Sequence, residues 1–332
     1  MITIAHSHPD LQEHDAALLK DCIDRGFVGW DKDLEDLLGR HIQKFVAKKQ
    51  VALTPSGSIA LIMALKALGV KAGDEVLIPA IDCWSVYNAI RFLDAKPVIC
   101  DVRSPQDFRA NYETISRHLN PKVKAVMVTH MFGVLIEEED IQRLKKEFKV
   151  GIIEDYASSF GALYHNSSPI GKYADFVIGS FASTKQITAG VGGFIAADKK
   201  FMTEAHERPS PDLLAFNVQV SCLNQKLLQG QFERLGQILE KKKRLKKMLS
   251  KYIHIWGHDS DGLYRAITFD KADGLIQFLE EKKIKMDIRD SVQPNLAREL
   301  KLDLVHARDF RAYASVPFHT DFVDTLELKG LL

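Results

Sequence analysis

The stretch Asp175-Phe-Val-Ile-Gly-Ser180-Phe-Ala-Ser-Thr-Lys185-Gln-Ile-Thr-Ala-Gly-Val-Gly-Gly193-Phe-Ile-Ala-Ala places one lysine between two apolar segments. Each segment has the composition of a buried strand, so Lys185 is predicted to lie in the loop that joins them. Burial lowers the pKa of a lysine toward the neutral, nucleophilic amine. Such an amine can form a Schiff base with an aldehyde cofactor, although an ordinary surface lysine explains this stretch equally well when it is taken alone.

The segments before this stretch predict an α/β protein. Short apolar runs alternate with helical patterns, and they lie at 51–55, 73–79, 97–101, 122–130 and 150–155. This alternation is typical of a doubly wound, mostly parallel sheet flanked by helices, in which the chemistry collects at the carboxyl ends of the strands. The residues at or just after such ends are Ser56, Trp84, His130, Asp155 and Lys185. Their common position is the first argument for an active site.

The last third of the chain follows a different pattern. Residues 218–253 predict one long helical stretch, and short strands and a helix follow it. We therefore expect a large α/β domain at 1–216 and a small C-terminal α+β domain at 217–332 that begins with the long helix. The basic run at 241–247 is interpreted as a solvated helix face rather than a nucleic-acid patch, because the formal net charge of the chain is +1.

Composition excludes several classes of protein. The chain has 332 residues, of which 46% are hydrophobic, and its near-neutral charge gives no electrostatic reason to expect nucleic acid or an anionic membrane as partner. The four scattered cysteines and the absence of a signal-peptide or membrane-spanning pattern favour a reduced, cytoplasmic protein. The pairs His6/His8 and His254/His258 lack a convincing metal-binding arrangement, so no metal is expected.

A possible phosphate site lies where Ser56-Gly57-Ser58 opens a predicted helix. The free amides at a helix amino terminus favour an anion, and small residues let it approach. A purely structural N-cap fits the same residues.

Four motifs in order carry a family resemblance. They are Gly57-Ser58-Ile-Ala-Leu, Gly73-Asp-Glu-Val-Leu-Ile-Pro79, Ile153-Glu-Asp155-Tyr-Ala and Ser180-Phe-x-x-Thr-Lys185-x-x-Thr-Ala-Gly-x-Gly-Gly193. Together they resemble the DegT/StrS family of pyridoxal-phosphate-dependent sugar aminotransferases, which have the type I fold of aspartate aminotransferase. The likeness runs from about Gly29 to Gly193 and continues more loosely to Leu332. It implies an enzyme that uses pyridoxal 5'-phosphate (PLP) to move an amino group from L-glutamate to a nucleotide-linked keto sugar, with surface polysaccharide or amino-sugar biosynthesis as the purpose.

The resemblance also implies roles for individual residues. Lys185 would bind the cofactor aldehyde and then act as the base and acid of the proton shift, and Asp155 would pair with the pyridine nitrogen. The other cofactor-binding residues implied are Gly57, Ser58 and Ser180 at the phosphate, Trp84 or Cys83 against the ring, Ser158 near the phenol oxygen, and Asn217. In the family the equivalent asparagine reaches the cofactor phosphate of the neighbouring subunit, which implies a homodimer with shared active sites.

Three positions depart from the family pattern. Ser158 replaces a glutamine, Ala182 stands where a histidine is common, and Gln219 stands where an arginine is expected. These departures leave alternatives open: a PLP-dependent sugar dehydratase, an inactive relative, or an aminotransferase whose ketone is not a nucleotide sugar, such as a cyclitol precursor. Related dehydratases carry histidine in place of the lysine, so Lys185 argues against the first.

Overall fold

A computed structural model describes residues 1–165, 167–198, 218–257, 260, 262–263, 265–269, 271–289, 295–309 and 314–332. Its centre is a seven-stranded sheet in the order β2-β8-β7-β6-β5-β3-β4. The strands are β2 (Gln50–Thr54), β3 (Glu75–Pro79), β4 (Lys96–Cys100), β5 (Val123–Thr129), β6 (Gly151–Asp155), β7 (Phe176–Ser180) and β8 (Gly193–Ala197). All neighbouring pairs are parallel except those of β8, which runs antiparallel to both β2 and β7. The predicted, mostly parallel α/β sheet is confirmed.

Helices connect these strands and cover the sheet. They are α1 (Glu13–Asp24), α2 (Lys32–Ile42), α3 (Gly57–Ala67), α4 (Trp84–Phe92), α5 (Tyr112–Ser116) and α6 (Glu138–Glu147), with a 3₁₀ turn at Met131–Gly133. Alternate residues of β8 serve two cores: Ile195 packs in one hydrophobic cluster, and Phe194 and Ala196 pack in another. Because both faces of the sheet are buried, its strands are apolar throughout, and polar side chains concentrate at the strand ends.

The described residues after 217 form short elements around two small sheets. Strand β1 (Ile2–Ile4) pairs in parallel with β10 (Ile284–Met286), and β9 (Ala266–Thr268) pairs antiparallel with β11 (Ala314–Val316). The helices are α7 (Cys222–Glu233), α8 (Leu235–Leu249), α9 (Asp273–Glu281), α10 (Leu296–Glu299), α11 (Val305–Asp309) and α12 (Thr320–Leu328). The start of the chain therefore joins its last third, and the boundary predicted at 216 stays a prediction.

The single long helix predicted over 218–253 is wrong in one respect, because two helices occupy this stretch. The helix is interrupted at Arg234, whose φ of −111° is not helical. The Arg234 guanidinium binds both Asp10 and Asp15, with nitrogen–oxygen distances of 2.7 and 2.5 Å. The break thus coincides with a buried anchor for the amino-terminal segment, which the helical pattern of the sequence could not reveal.

The described ranges hold no helix that is both long enough and apolar enough to cross a lipid bilayer.

Candidate active site

The amino terminus of α3 lies against the end of β7. Ser56 is the N-cap, and its hydroxyl oxygen accepts the amide of Ile59 at 3.2 Å. The first amides of a helix have no acceptor within it, so those of Gly57 and Ser58 remain for a ligand. A Cβ added to Gly57 would lie 3.0 Å from the Cβ of Ser180. The predicted phosphate-binding residues are therefore adjacent, at the positive end of an 11-residue helix.

Gly193 makes this arrangement possible. A Cβ at this position would lie 2.5 Å from the amide nitrogen of Gly57 and 2.7 Å from the carbonyl oxygen of Gly179. Any side chain here would force β8 away from the start of α3. Close backbone packing therefore requires glycine at this position.

Lys185 lies in the loop between β7 and β8, as the sequence predicts. Its side chain is half-buried, and its Nζ donates a hydrogen bond to the Oγ of Ser158 at 3.2 Å. The charge of Lys185 also acts on the carboxyl of Asp155. The structure thus brings together three residues predicted from separate parts of the sequence.

Side chains from α7 and α8 hold the loop that follows Lys185. Each bonds one loop residue, so the loop is tied at three successive points. The pairs are Lys242 Nζ with Gln186 Oε1, Gln231 Oε1 with the amide of Thr188 (3.3 Å), and Asn224 Nδ2 with the carbonyl of Ala189 (2.6 Å). Sequence patterns do not reveal these contacts, because helix residues 35 to 56 positions away supply them.

Asp155 ends β6 and is 7% exposed. Its Oδ1 accepts the amide of Ala157 at 2.8 Å. Burial raises the pKa of Asp155 above its usual value, while the Ala157 amide and the charge of Lys185 partly oppose this. A buried carboxylate with a raised pKa is stabilised by a cation placed beside it. This environment suits the protonated ring nitrogen of a pyridine.

His130 belongs to the framework beneath the site. The strand alternation sends Glu154 to the opposite side from Asp155, where its Oε2 lies 3.0 Å from the Nε2 of His130. The Nδ1 of His130 accepts the amide of Ile136 at 3.1 Å. Both ring nitrogens are used, so this histidine fixes the ends of β5 and β6.

Asp82 is an acid that the sequence interpretation did not assign. It follows β3 and is fully buried, with its Oδ1 accepting the amide of Cys83 at 2.7 Å. Its Oδ2 lies 2.8 Å from the Oγ1 of Thr129. Burial, and then the charge of Asp155, raise the pKa of Asp82 well above its usual value. The sequence feature that could have identified Asp82 is a carboxyl group that follows an apolar strand.

The structure does not bring Trp84 into contact with Lys185 or Asp155 among the contacts it describes. Trp84 begins α4, and its Nε1 donates to Oε2 of Glu299 at 2.7 Å. Cys83 is exposed at the strand end, with its sulfur 2.8 Å from the Oγ of Ser85. Which of the two faces the cofactor ring stays a prediction. Asn217 lies outside the described residues.

A polar cleft opens on the other side of Lys185. It is lined by His6, Ser7, His8, Asp10, Thr184, Lys185, Gln186, Ile238, Lys242, Arg265, Phe318, His319 and Thr320. His6 is buried, with its Nε2 3.0 Å from the Oγ of Ser315. Lys242, expected on a solvated face, is 5% exposed, and burial lowers its pKa to about 7. The expectation for Lys242 was wrong because tertiary packing covers this residue.

The residues at the sheet edge fit PLP. Helix amides with Ser180 suit its phosphate, Asp155 suits its ring nitrogen, and Lys185 can bond its aldehyde. The described residues contain no group of three or more His, Cys, Asp or Glu side chains placed to hold a metal ion.

Comparisons with known proteins agree with this assignment. The model of the DegT/DnrJ/EryC1/StrS aminotransferase family matches residues 9–254. A GDP-perosamine synthase from Vibrio cholerae is 27% identical over 305 residues, which cover 83% of this chain and 82% of the relative. A dTDP-4-dehydro-2,3,6-trideoxy-D-glucose 4-aminotransferase from Saccharopolyspora spinosa is 32% identical over 161 residues, covering 48% of this chain and 41% of the relative.

Solved structures share the fold. A Streptococcus pneumoniae protein described as a sugar aminotransferase, in its PLP form, superposes with a TM-score of 0.81 at 20% identity, covering 98% of this chain and 97% of that one. A GDP-4-keto-6-deoxymannose-3-dehydratase with a trapped adduct of PLP and glutamate gives 0.79 at 16% identity, covering 98% and 99%. Aminotransferases and a dehydratase thus have this fold, so the fold does not distinguish them. The family match, together with Lys185 beside Asp155, distinguishes the aminotransferases from the dehydratase. This chain belongs to the DegT/DnrJ/EryC1/StrS aminotransferase family and is a PLP-dependent aminotransferase.

Proposed function

We propose that this enzyme moves an amino group from L-glutamate to a keto sugar carried on a nucleotide. The observation that carries the proposal is Lys185, whose Nζ lies 3.2 Å from Ser158 on the same sheet edge as Asp155 and the α3 amides. Relatives named for GDP-linked and dTDP-linked sugars support the acceptor class. A solved relative that holds glutamate on its cofactor supports the donor.

The chain's own residues divide the work among binding, charge and proton transfer. When bound, PLP supplies an aldehyde that takes the amino group and a ring that withdraws electrons from the reacting carbon. The amides of Gly57 and Ser58 and the hydroxyl of Ser180 bind the phosphate. Asp155 keeps the ring nitrogen protonated, because its carboxylate is desolvated and gains from an adjacent cation.

Lys185 is proposed as the proton carrier. Its amine would take the proton from the α-carbon of the donor and deliver it to the carbon that carried the aldehyde of the cofactor, on the other side of the nitrogen being transferred. The reverse sequence on the keto sugar would complete the reaction. Ser158 accepts a hydrogen bond from this amine and so orients it. Because Ser158 is shorter than the glutamine of the family pattern, we propose that a water bridges it to the phenol oxygen of the cofactor.

A homodimer with shared sites is part of the proposal. Asn217 would reach the cofactor phosphate of the neighbouring subunit. Apolar side chains of the amino-terminal segment and of the loop after Lys185 stand in solvent in the described single chain, as a subunit interface would require. They include Ile23, Phe27, Val28 and Val191. Sedimentation velocity at micromolar concentration should give twice the monomer mass, and a monomer that retains full activity would contradict the proposal.

The biological setting is also proposed. Amino sugars made on nucleotides supply surface polysaccharide, and this use in the cytoplasm is the one we favour. The relatives named for 3-oxo-glucose-6-phosphate and 2-deoxy-scyllo-inosose define the competing acceptor classes.

The first experiment is an absorbance spectrum of the protein with PLP, before and after L-glutamate, beside Lys185→Ala. We expect a visible band from lysine-bound cofactor that is missing in Lys185→Ala and bleaches with glutamate. A band that ignores every amino donor would indicate an inactive relative. If no band forms, Lys185 is not the cofactor lysine.

A panel of acceptors then tests the sugar. The glutamate-treated enzyme is mixed with GDP-4-keto-6-deoxymannose, dTDP-4-dehydro-2,3,6-trideoxy-D-glucose, 3-oxo-glucose-6-phosphate or 2-deoxy-scyllo-inosose. We expect a nucleotide-linked ketone to restore the visible band, with the amino sugar identified by mass. Restoration by the last two compounds alone would overturn the nucleotide-sugar proposal, and loss of an oxygen from the product would indicate a dehydratase.

A further inference from the structure

Three neighbouring strand ends place a second acid beside Asp155. Strand β5 lies between β3 and β6 in the sheet, and Thr129 at its end is the register partner of Asp155. The Oγ1 of Thr129 also lies 2.8 Å from the Oδ2 of Asp82, which follows β3. Asp82 and Asp155 therefore flank a single threonine at the edge where the cofactor fits.

Burial makes two negative charges at this point costly. Asp82 has no exposed surface, and Asp155 is 7% exposed. Two buried carboxylates that interact cannot both ionise near neutral pH unless enough positive charge compensates them, and the charge of Asp155 does act on Asp82. The charged groups that act on Asp82 are Asp155 and Lys185. Asp82 in turn contributes, after burial, to raising the pKa of the buried Cys100 thiol to about 12.

We propose that Asp82 is a positioning residue that carries the single proton of a carboxyl pair with Asp155, so that Asp155 alone presents a carboxylate to the cofactor ring. This inference rests on the proposed PLP site at the sheet edge and is independent of the identity of the sugar.

Local contacts decide which acid keeps the proton. Asp82 is the more deeply buried of the two, and the charge of Asp155 raises its pKa further. Lys185 is among the main influences that favour ionisation of Asp155, whereas it is the weakest of those acting on Asp82. The Thr129 contact serves either protonation state, because a hydroxyl donates to a carboxylate and accepts from a carboxylic acid.

The pH dependence of the unfolding free energy tests the proposal without substrate or cofactor, because proton binding and folding are thermodynamically linked. A carboxyl whose pKa is raised in the folded state holds a proton that unfolding releases. The contribution of Asp82 to the stability of the cofactor-free protein should therefore fall as pH rises from about 4, the usual pKa of aspartate, to the raised pKa of Asp82. Asp82→Asn removes this titration, so its unfolding free energy should fall less over the same range.

The experiment is urea unfolding of the cofactor-free protein from pH 5 to 9. The wild type is compared with Asp82→Asn, Asp155→Asn and the double variant, and the more than half-exposed Asp36 supplies the control Asp36→Asn. Asp155→Asn removes the negative charge that raises the pKa of Asp82. We therefore expect the unfolding free energy of this variant to stop falling at a lower pH than that of the wild type. Identical pH profiles for the wild type and Asp82→Asn would overturn the proposal.

Cofactor affinity gives a second test, in a Lys185→Ala background where PLP binds without a covalent bond. Asp82→Ala should weaken PLP binding by about tenfold, equivalent to about 1.4 kcal/mol, and Asp82→Asn should recover most of it, because an amide N–H can replace the acid O–H. If Asn is no better than Ala, Asp82 acts as a carboxylate and the proposal is wrong. A failure to transfer amino groups to sugars would not alter either result.

Discussion

Two regions on either side of Lys185 bury ionisable groups, and burial disfavours the charged form in both. At the sheet edge, acids, a lysine and helix amides converge, and burial raises the pKa of Asp155. In the cleft behind the loop, burial lowers the pKa of His6 to about 4 and that of Lys242 to about 7. The regions differ in what opposes burial: the Ala157 amide and the charge of Lys185 favour the carboxylate of Asp155, whereas Asp10 is the opposing influence on Lys242 among the described residues. A buried lysine is therefore no sign of catalysis unless an electrophile can reach it.

Replacing each lysine in turn separates the two regions most sharply. Lys185→Ala should lower the rate of the glutamate half-reaction by at least about 10³, since covalent attachment and proton transfer both depend on its amine. Lys242→Met should leave the visible cofactor band in place. Stopped-flow absorbance with L-glutamate measures both variants, and equal losses would mean that the cleft belongs to the catalytic machinery.

The contrast also explains what the sequence could predict. The sheet edge rests on short local motifs, so strand ends and a family pattern were enough to predict Gly57, Asp155, Ser180 and Lys185 as site residues, and the structure places them at this edge. The cleft depends on contacts such as that of His6 with Ser315, which are 309 positions apart. The basic run at 241–247 was interpreted as a solvated face, and the error at Lys242 arose because the ring of Phe318, which lies against its amine, comes from a distant segment.

Asp82 shows that contacts between distant segments also limit prediction at the sheet edge. Its position after an apolar strand was visible in the sequence, but its significance depends on the strand order, which puts β5 between β3 and β6. Sequence patterns predict strands better than they predict which strands are neighbours.

Asp155→Asn tests whether charge at the sheet edge matters as proposed. An amide cannot stabilise a protonated ring nitrogen as a carboxylate does, so the glutamate half-reaction should slow by about 10²–10³. The covalent band should still form, because Lys185 is intact. Single-turnover kinetics measure the effect, and a loss below threefold would mean that Asp155 does not face the ring nitrogen.

Gly193→Ala tests the backbone contact that shapes the phosphate site. The added methyl would lie 2.5 Å from the amide of Gly57, so β8 and α3 must separate. We expect destabilisation of about 1–3 kcal/mol and weaker PLP binding, measured by urea unfolding and by titration. Gly236→Ala is the matched control, because nothing lies within 4 Å of its Cβ and alanine favours helix by about 1 kcal/mol. A Gly193→Ala protein as stable as this control would contradict the close packing.

The pH dependence of stability tests whether Lys242, in the cleft, loses its charge near neutral pH. Of the changes predicted here, this one should affect turnover least. Because the pKa of Lys242 is lowered to about 7 in the folded state and is about 10.4 in an unfolded chain, the unfolded protein binds the extra proton between these values. The contribution of Lys242 to stability should therefore rise with pH across that window, by at most about 1.4 kcal/mol per unit.

Lys242→Met removes this rise, so the wild type should gain stability relative to the variant from pH 7 to 10. Urea unfolding at fixed ionic strength measures the difference, and the exposed Lys247→Met on the same helix should show no such trend. A difference between wild type and Lys242→Met that stays constant with pH would mean that Lys242 remains charged in the folded protein. The cleft would then hold its charge as the sheet edge does, and the contrast between the two regions would fail.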